Sequence, residues 1–199
     1  MKKSIFTLIM IMVAALSLTI SASAQGKRAA GRNTRLFDLV ETAKQGRAKL
    51  DPAIAKQVRD DFAESKESLE FAPSIVGTWY CKVAQSDQGF PPFQAYHTFG
   101  ADGTFVETSS LLGLNGEGPA HGAYERSWRG YVLTFELFVF DPSTGESVGR
   151  VRVRVSIRMT SSNTFNAITA VDFIEPNGTT IEDIDGGPFS ATRVHVKGL

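Results

Sequence analysis

Cysteine is almost absent: Cys81 stands alone in 199 residues. That count excludes a disulfide framework and a cysteine-based zinc site. Histidine is nearly as scarce. The three present, His97, His121 and His195, are too far apart for any local metal motif. Charge of one sign is also lacking, since 21 Lys and Arg cancel 21 Asp and Glu. No general basic field is available for nucleic acid. There is no Gly-x-Ser-x-Gly, no phosphate loop and no dinucleotide fingerprint. What is abundant is glycine, proline and phenylalanine, at 18, 8 and 14, in a chain that is 42% hydrophobic. Such a composition favours a turn-rich β domain over a helix bundle and excludes a disordered chain.

Long apolar runs are missing except at the start. Met1-Lys2-Lys3, a mostly apolar run from Ile5 to Ile20, and Ala22-Ser23-Ala24 before Gln25 have the layout of a secretory signal peptide. The strongly apolar part is about 16 residues, short of the roughly 20 that span a bilayer. Residues 1–24 are therefore expected to be removed. The product is expected to be exported, periplasmic or secreted in a bacterium, with no lipid anchor and no stable membrane insertion.

Residues 25–72 are expected to form a mobile N-terminus and a helical hairpin. Residues 25–32 carry no apolar period. Leu36, Leu39, Val40 and Ala43 then recur at helical spacing, with Asn33 or Thr34 as the cap. Asp51-Pro52 joins an N-cap residue to a first-turn proline. Ile54, Val58, Phe62 and Leu69 follow on one face, out to about Phe71.

From Ser74 onward the period becomes two. Strands are expected at roughly 75–84, 93–99, 104–111, 121–127, 131–140, 148–160, 164–174 and 189–196. The connections are short and none is helical. Residues 73–199 are thus expected to close as an eight-stranded antiparallel up-and-down barrel, which leaves no exposed edge. In the sixth strand Val151, Val153, Val155 and Ile157 alternate with Arg150, Arg152, Arg154, Ser156 and Arg158, so the valines face inward. In the fifth, Leu133, Phe135 and Leu137 face inward, and Glu136 faces outward toward the arginine row. This choice leaves Phe138 and Phe140 outside and in need of a cover. The helical hairpin could supply it, or could pack across one end of the barrel. Glu107, Glu125 and Asp172 are expected to be solvated or paired with the arginines. Cys81 shares the inward phase of Trp79. Gly113 to Gly122 reads as a flexible loop at the mouth.

Gly77-x-Trp79 opens the first strand and Arg193 lies in the last. This arrangement resembles the calycins, the superfamily that includes the lipocalins. Residues 74–195 also resemble a group of uncharacterised exported bacterial calycin-like proteins. The matching pieces are Gly77-Thr78-Trp79, Thr98-Phe99 with Asp102-Gly103-Thr104, His121-Gly122-x-Tyr124, Asp172 followed by Asn177-Gly178, and Ala191-Thr192-Arg193. The chain departs from that group at Tyr124, where tryptophan is common, and in lacking a second, late cysteine. The resemblance implies that Trp79 plugs a closed barrel end and that Arg193 packs across its indole. Some calycins bind haem. Here the three histidines fit unrelated strand and loop positions better, so neither metal nor cofactor is expected.

Three functions remain open. The first is a barrel that holds a small, mainly apolar molecule, lined by Tyr124, Leu133, Phe135, Leu137, Val153 and Val155. The second is a cyclase or isomerase in the style of the allene oxide cyclase barrels. A buried, unpaired carboxylate or histidine inside the barrel would select it. The third is a structural or interaction protein with a filled core. No residue pattern by itself establishes catalysis.

Overall fold

The computed structural model describes residues 36–63, 73–86, 88–110, 120–141 and 143–195. The expected signal peptide, the basic stretch 25–32, the expected cap at Asn33 or Thr34, the helical reading beyond Ala63 and most of the 113–122 loop lie outside those residues.

Eight antiparallel strands form a closed up-and-down barrel in which each pairs with its sequence neighbours and the last returns to the first. They are β1 (Gly77–Val83), β2 (Phe93–Phe99), β3 (Thr104–Ser109), β4 (Ala120–Ser127), β5 (Gly130–Phe140), β6 (Ser147–Met159), β7 (Thr164–Ile174) and β8 (Thr180–Arg193). Two helices precede the barrel. Residues 36–44 are helical (α1), and α2 spans Pro52–Ala63, with the Asp51 carboxylate accepting from the Ala53 N–H at 2.7 Å as its N-cap.

Alternation sets the faces as expected. Val151, Val155 and Ile157 are buried in the core, and the arginines of β6 point outward. Glu136 sits opposite Arg152 in the register. It accepts hydrogen bonds from Arg150 at 2.7 Å and Arg152 at 3.0 Å.

The end of the barrel bearing the β2–β3, β4–β5 and β6–β7 turns is closed by Trp79, which is fully buried. Its indole N–H donates to the Ile75 carbonyl at 2.7 Å, and the Arg193 guanidinium lies over its ring, 4.2 Å from the centroid. That guanidinium donates to the carbonyls of Val76 at 2.6 Å, Ser74 at 2.5 Å and Ser162 at 2.8 Å. Gly77 has φ +125°, and a Cβ there would come within 2.9 Å of the Arg193 Nη1. Glycine is required at that position both by the backbone angle and by the guanidinium beside it.

Two expectations need correction. The last strand starts at Thr180, not near 189. The β7–β8 turn is Asn177-Gly178, where the Asn177 side chain accepts from the Thr179 N–H at 2.8 Å. Asp185-Gly186-Gly187-Pro188, which that expectation left in the connection before the last strand, lies inside β8. Gly186 has φ +158°, and a Cβ there would strike the Thr169 carbonyl and sit 3.0 Å from Leu50. Gly186 marks a close backbone approach, not a reversal of the chain.

The helices also do not cover Phe138 and Phe140. Phe138 stays 59% exposed, with Phe140 6.3 Å away. Instead the two helices do separate jobs. Leu39, Val40 and Ala43 of α1 join the barrel core at the open end. Ile54, Val58 and Phe62 of α2 pack against Ile168 and Ala170 on the outside of β7. Between the helices, the Leu50 N–H donates to the Asp183 carbonyl at 2.7 Å. Asp183 lies in a β8 bulge with φ +56°. Its carboxylate pairs with Arg59 of α2 and with Arg154 of β6, and Arg154 also holds Asp172 through two bonds of 3.0 and 2.8 Å.

Candidate functional site

Two halves of the barrel interior are packed differently. Toward the closed end, Trp79, Phe99, Phe105 and Phe165 fill the space, with ring centroids 4.8 Å apart for Trp79 and Phe165 and 5.1 Å for Phe99 and Phe105. Toward the open end a cavity of about 170 Å³ remains beneath α1. Leu36 and Leu39 of α1 roof it, and Phe135, Leu137, Val153 and Phe189 are among its walls. Its surface is overwhelmingly apolar.

The turn at Gly100–Gly103 decides what else faces this space. The Asp102 carboxylate accepts from the Thr104 N–H at 3.1 Å and from the Thr104 hydroxyl at 2.6 Å, so the hairpin is tight and Phe99 stands opposite Phe105. Counting one pleat outward, His97 stands opposite Glu107. Both lie on the phenylalanine face and both line the cavity. His97 is 3% exposed and Glu107 5%. Glu107 was expected on the outside, and that reading is corrected. The residues alternating with it, Val106 and Thr108, face outward, which leaves the charged side chain inside.

His97 Nε2 and Glu107 Oε2 are 3.9 Å apart, too far for a hydrogen bond. Glu107 Oε2 and His97 Nδ1 are buried without any hydrogen-bond partner. The imidazole is instead boxed by aromatic edges, with Phe105 at 5.1 Å and Phe189 at 5.5 Å between centroids. Burial disfavours the charged form of each group. It pushes the Glu107 carboxyl up to about 7 and the His97 imidazole down to about 3. The arrangement is a neutral donor–acceptor pair in an apolar wall, with a carboxyl poised near neutrality. Such a pair can hold a polar atom of a ligand, or move a proton at one.

Of the six residues expected to line a ligand site, Phe135, Leu137, Val153 and Val155 border the cavity. Tyr124 and Leu133 do not. They face the interior one or more pleats nearer the closed end. There the Tyr124 hydroxyl donates to the Gly100 carbonyl at 2.5 Å and its ring packs 5.1 Å from Phe99. The hydroxyl needs a buried partner, and the turn carbonyl supplies it. Gly77, Trp79 and Arg193 form the closed-end clasp and lie away from the cavity. Cys81 is buried, and burial raises its thiol far above the usual range, so it is no nucleophile. His121 and His195 are exposed and do not border the cavity. Among the described residues no group of three His, Cys, Asp or Glu side chains is placed to hold a metal ion.

The pair of His97 and Glu107 could have been found from the sequence. Phe93, Ala95, His97 and Phe99 alternate, as do Phe105, Glu107 and Ser109. The general rule that carboxylates stay outside obscured it.

No family model, no curated protein and no solved structure matches this chain.

Proposed function

We propose that the barrel binds a small, mainly apolar molecule in the cavity at its open end. One observation carries this reading: the cavity of about 170 Å³ in a barrel that is otherwise packed. Well-packed interiors hold few voids larger than a water molecule. An apolar cavity of about 150 Å³ is enough to take up benzene. The space therefore supports a ligand over a filled structural core, and supports a ligand of benzene size over a drug-sized one, which needs roughly 300 Å³ or more. Outward arginines and an apolar interior are the reverse of a membrane-spanning barrel, which supports a water-exposed outer surface. The clasp of Trp79 and Arg193 supports a relationship to the calycins, and the pattern of residues 1–24 supports export.

Addition of benzene to the protein should shift the methyl resonances of Leu137, Val151 and Val153 and raise the melting temperature. Unchanged spectra at saturating benzene would reject a ligand cavity. Native mass spectrometry of the protein from its own host would then weigh the natural ligand, and N-terminal sequencing of the same sample should begin at Gln25.

The buried Glu107 and His97 favour a second reading, an isomerase that moves a proton on a bound carbonyl compound. Glu107 would take a carbon-bound proton while the imidazole N–H steadies the carbonyl oxygen, and the carboxyl, after exchanging with solvent, would return a proton at another carbon. Deuterium uptake into a bound ketone in D2O, abolished in Glu107→Gln, tests it. No uptake above the buffer rate leaves the binding module.

A further inference from the structure

The wall that carries His97 and Glu107 specifies more than apolar contact. Their facing atoms are 3.9 Å apart. One oxygen seated between them would lie roughly 2.8 Å from each, the ordinary length of a hydrogen bond. Glu107 Oε2 is buried without a partner, and an unmet buried acceptor or donor is costly to leave in place. The remaining polar side chains around the cavity include Ser109, Thr169 and Asp185, and among the described residues no lysine or arginine borders it.

We propose that the ligand is a neutral, benzene-sized molecule whose one hydroxyl or carbonyl oxygen bridges Glu107 and His97. The inference rests on the mouth cavity being a ligand site. An anionic head group does not suit the site. It would meet two carboxyl side chains, Glu107 and Asp185, with no cation among the described lining residues to offset its lost hydration. A hydroxyl can donate to the carboxyl oxygen and accept from the imidazole N–H, and a carbonyl can accept from both groups when Glu107 holds its proton. Burial, which favours the uncharged form of both side chains, agrees with a neutral partner. Beyond that contact the walls offer mainly Phe, Leu and Val surface, so the rest of the ligand is hydrocarbon.

The test is a titration of the protein, at about pH 6, with five probes on one ring: cyclohexane, cyclohexanol, cyclohexanone, cyclohexylamine and cyclohexanecarboxylate. The alcohol and the ketone should bind and the carboxylate should not. Glu107→Leu should weaken the alcohol and the ketone about ten-fold, the worth of one hydrogen bond, while leaving cyclohexane within about two-fold. In the unaltered protein, the alcohol should shift the His97 imidazole ¹⁵N signals and cyclohexane should not, a readout independent of how well the variant folds. If all five probes leave the protein unbound, the ligand cavity itself is rejected and this inference falls with it. If cyclohexane binds but the alcohol gains nothing from Glu107, or if the carboxylate or the amine binds best, the cavity stands and the neutral oxygen head group is overturned.

Discussion

Asp61 of α2 and Ser156 of β6 are joined by a 2.5 Å hydrogen bond, the seryl hydroxyl donating to a carboxylate that solvent does not reach. Arg129 and Arg158 approach the same carboxylate at 3.5 and 3.8 Å from the solvent side. This contact fixes the far end of α2, as Asp183 fixes the near end. Asp61→Ala would leave the serine without its acceptor and both arginines without their nearby counter-charge. Stability should fall by roughly 1.5–3 kcal/mol, the range for bonds to charged groups. Asp61→Asn, which keeps an acceptor, should lose less. Urea unfolding of the three proteins measures both values, and equal midpoints would show that α2 is held by its apolar stripe alone.

Trp79→Ala should cost roughly 3–5 kcal/mol, as for other large aromatic truncations in cores. Arg193→Met keeps much of the apolar length of the side chain but loses three carbonyl partners and the stacked charge, and should cost about 1.5–3 kcal/mol. Because the two side chains share one contact, the double variant should lose less than the sum of the singles. Additive losses in thermal unfolding would mean that the stack contributes nothing of its own.

Glu107 and His97 pull the pH dependence of stability in opposite directions. Glu107 binds its proton more tightly in the folded barrel, about 7 against 4.5. The stability this brings is fully present below pH 4.5 and is lost as pH rises through 7. His97 binds its proton less tightly, about 3 against 6.5, so its contribution is lost as pH falls from 6.5 toward 3. Asp185, which borders the same cavity, and the Cys81 thiol, which burial raises first and the Glu107 charge raises further, complete the titratable surroundings. Glu107→Gln should therefore gain stability relative to the parent as pH rises from 4.5 to 7 and hold that gain above it. Melting temperatures of both proteins across pH 4–8 supply the test, and parallel curves would place Glu107 in contact with water.

Leu39 and Val40 are buried where α1 closes the open end. Leu39→Ser with Val40→Ser should loosen that roof while the strands stay paired. Amide exchange should quicken in 36–44 and not in β5–β7, and a bound probe such as benzene should exchange faster. Uniform acceleration across the barrel would show that α1 belongs to the same cooperative unit as the strands.

Much of this architecture was legible because a β barrel with one wet face and one dry face writes itself as alternation. Val153 beside Arg152 and Arg154, or Leu137 beside Glu136, leaves one admissible orientation. What escaped were positions where two distant segments meet. Ser156 and Ala170 are small residues in otherwise outward rows, and only the packed helix shows why they are small. Gly186 looks like a turn residue until Thr169 and Leu50 are seen against it. His97 and Glu107 broke the rule that ionisable groups stay in water. Such exceptions are where sequence reasoning fails and where sites tend to lie. Tyr124 and Leu133 were assigned to the right face but the wrong depth, since alternation gives the side of a sheet and says nothing about which layer of a barrel is filled.

The clasp at the closed end has a consequence for the order of events in folding. Arg193 reaches back 117 residues to Val76 and 119 to Ser74, and β8 is the only strand that can seal β1. Seven strands without the eighth would expose two raw edges, those of β1 and β7, ready to pair with another chain. Local hairpins can form as the polypeptide emerges, but the ring cannot be completed until the 14 residues of β8 exist. Joining the two ends is a contact of long sequence separation, the slow kind. The barrel is therefore an all-or-nothing object in time as well as in space, and the interval before closure is when the chain is most exposed to aggregation.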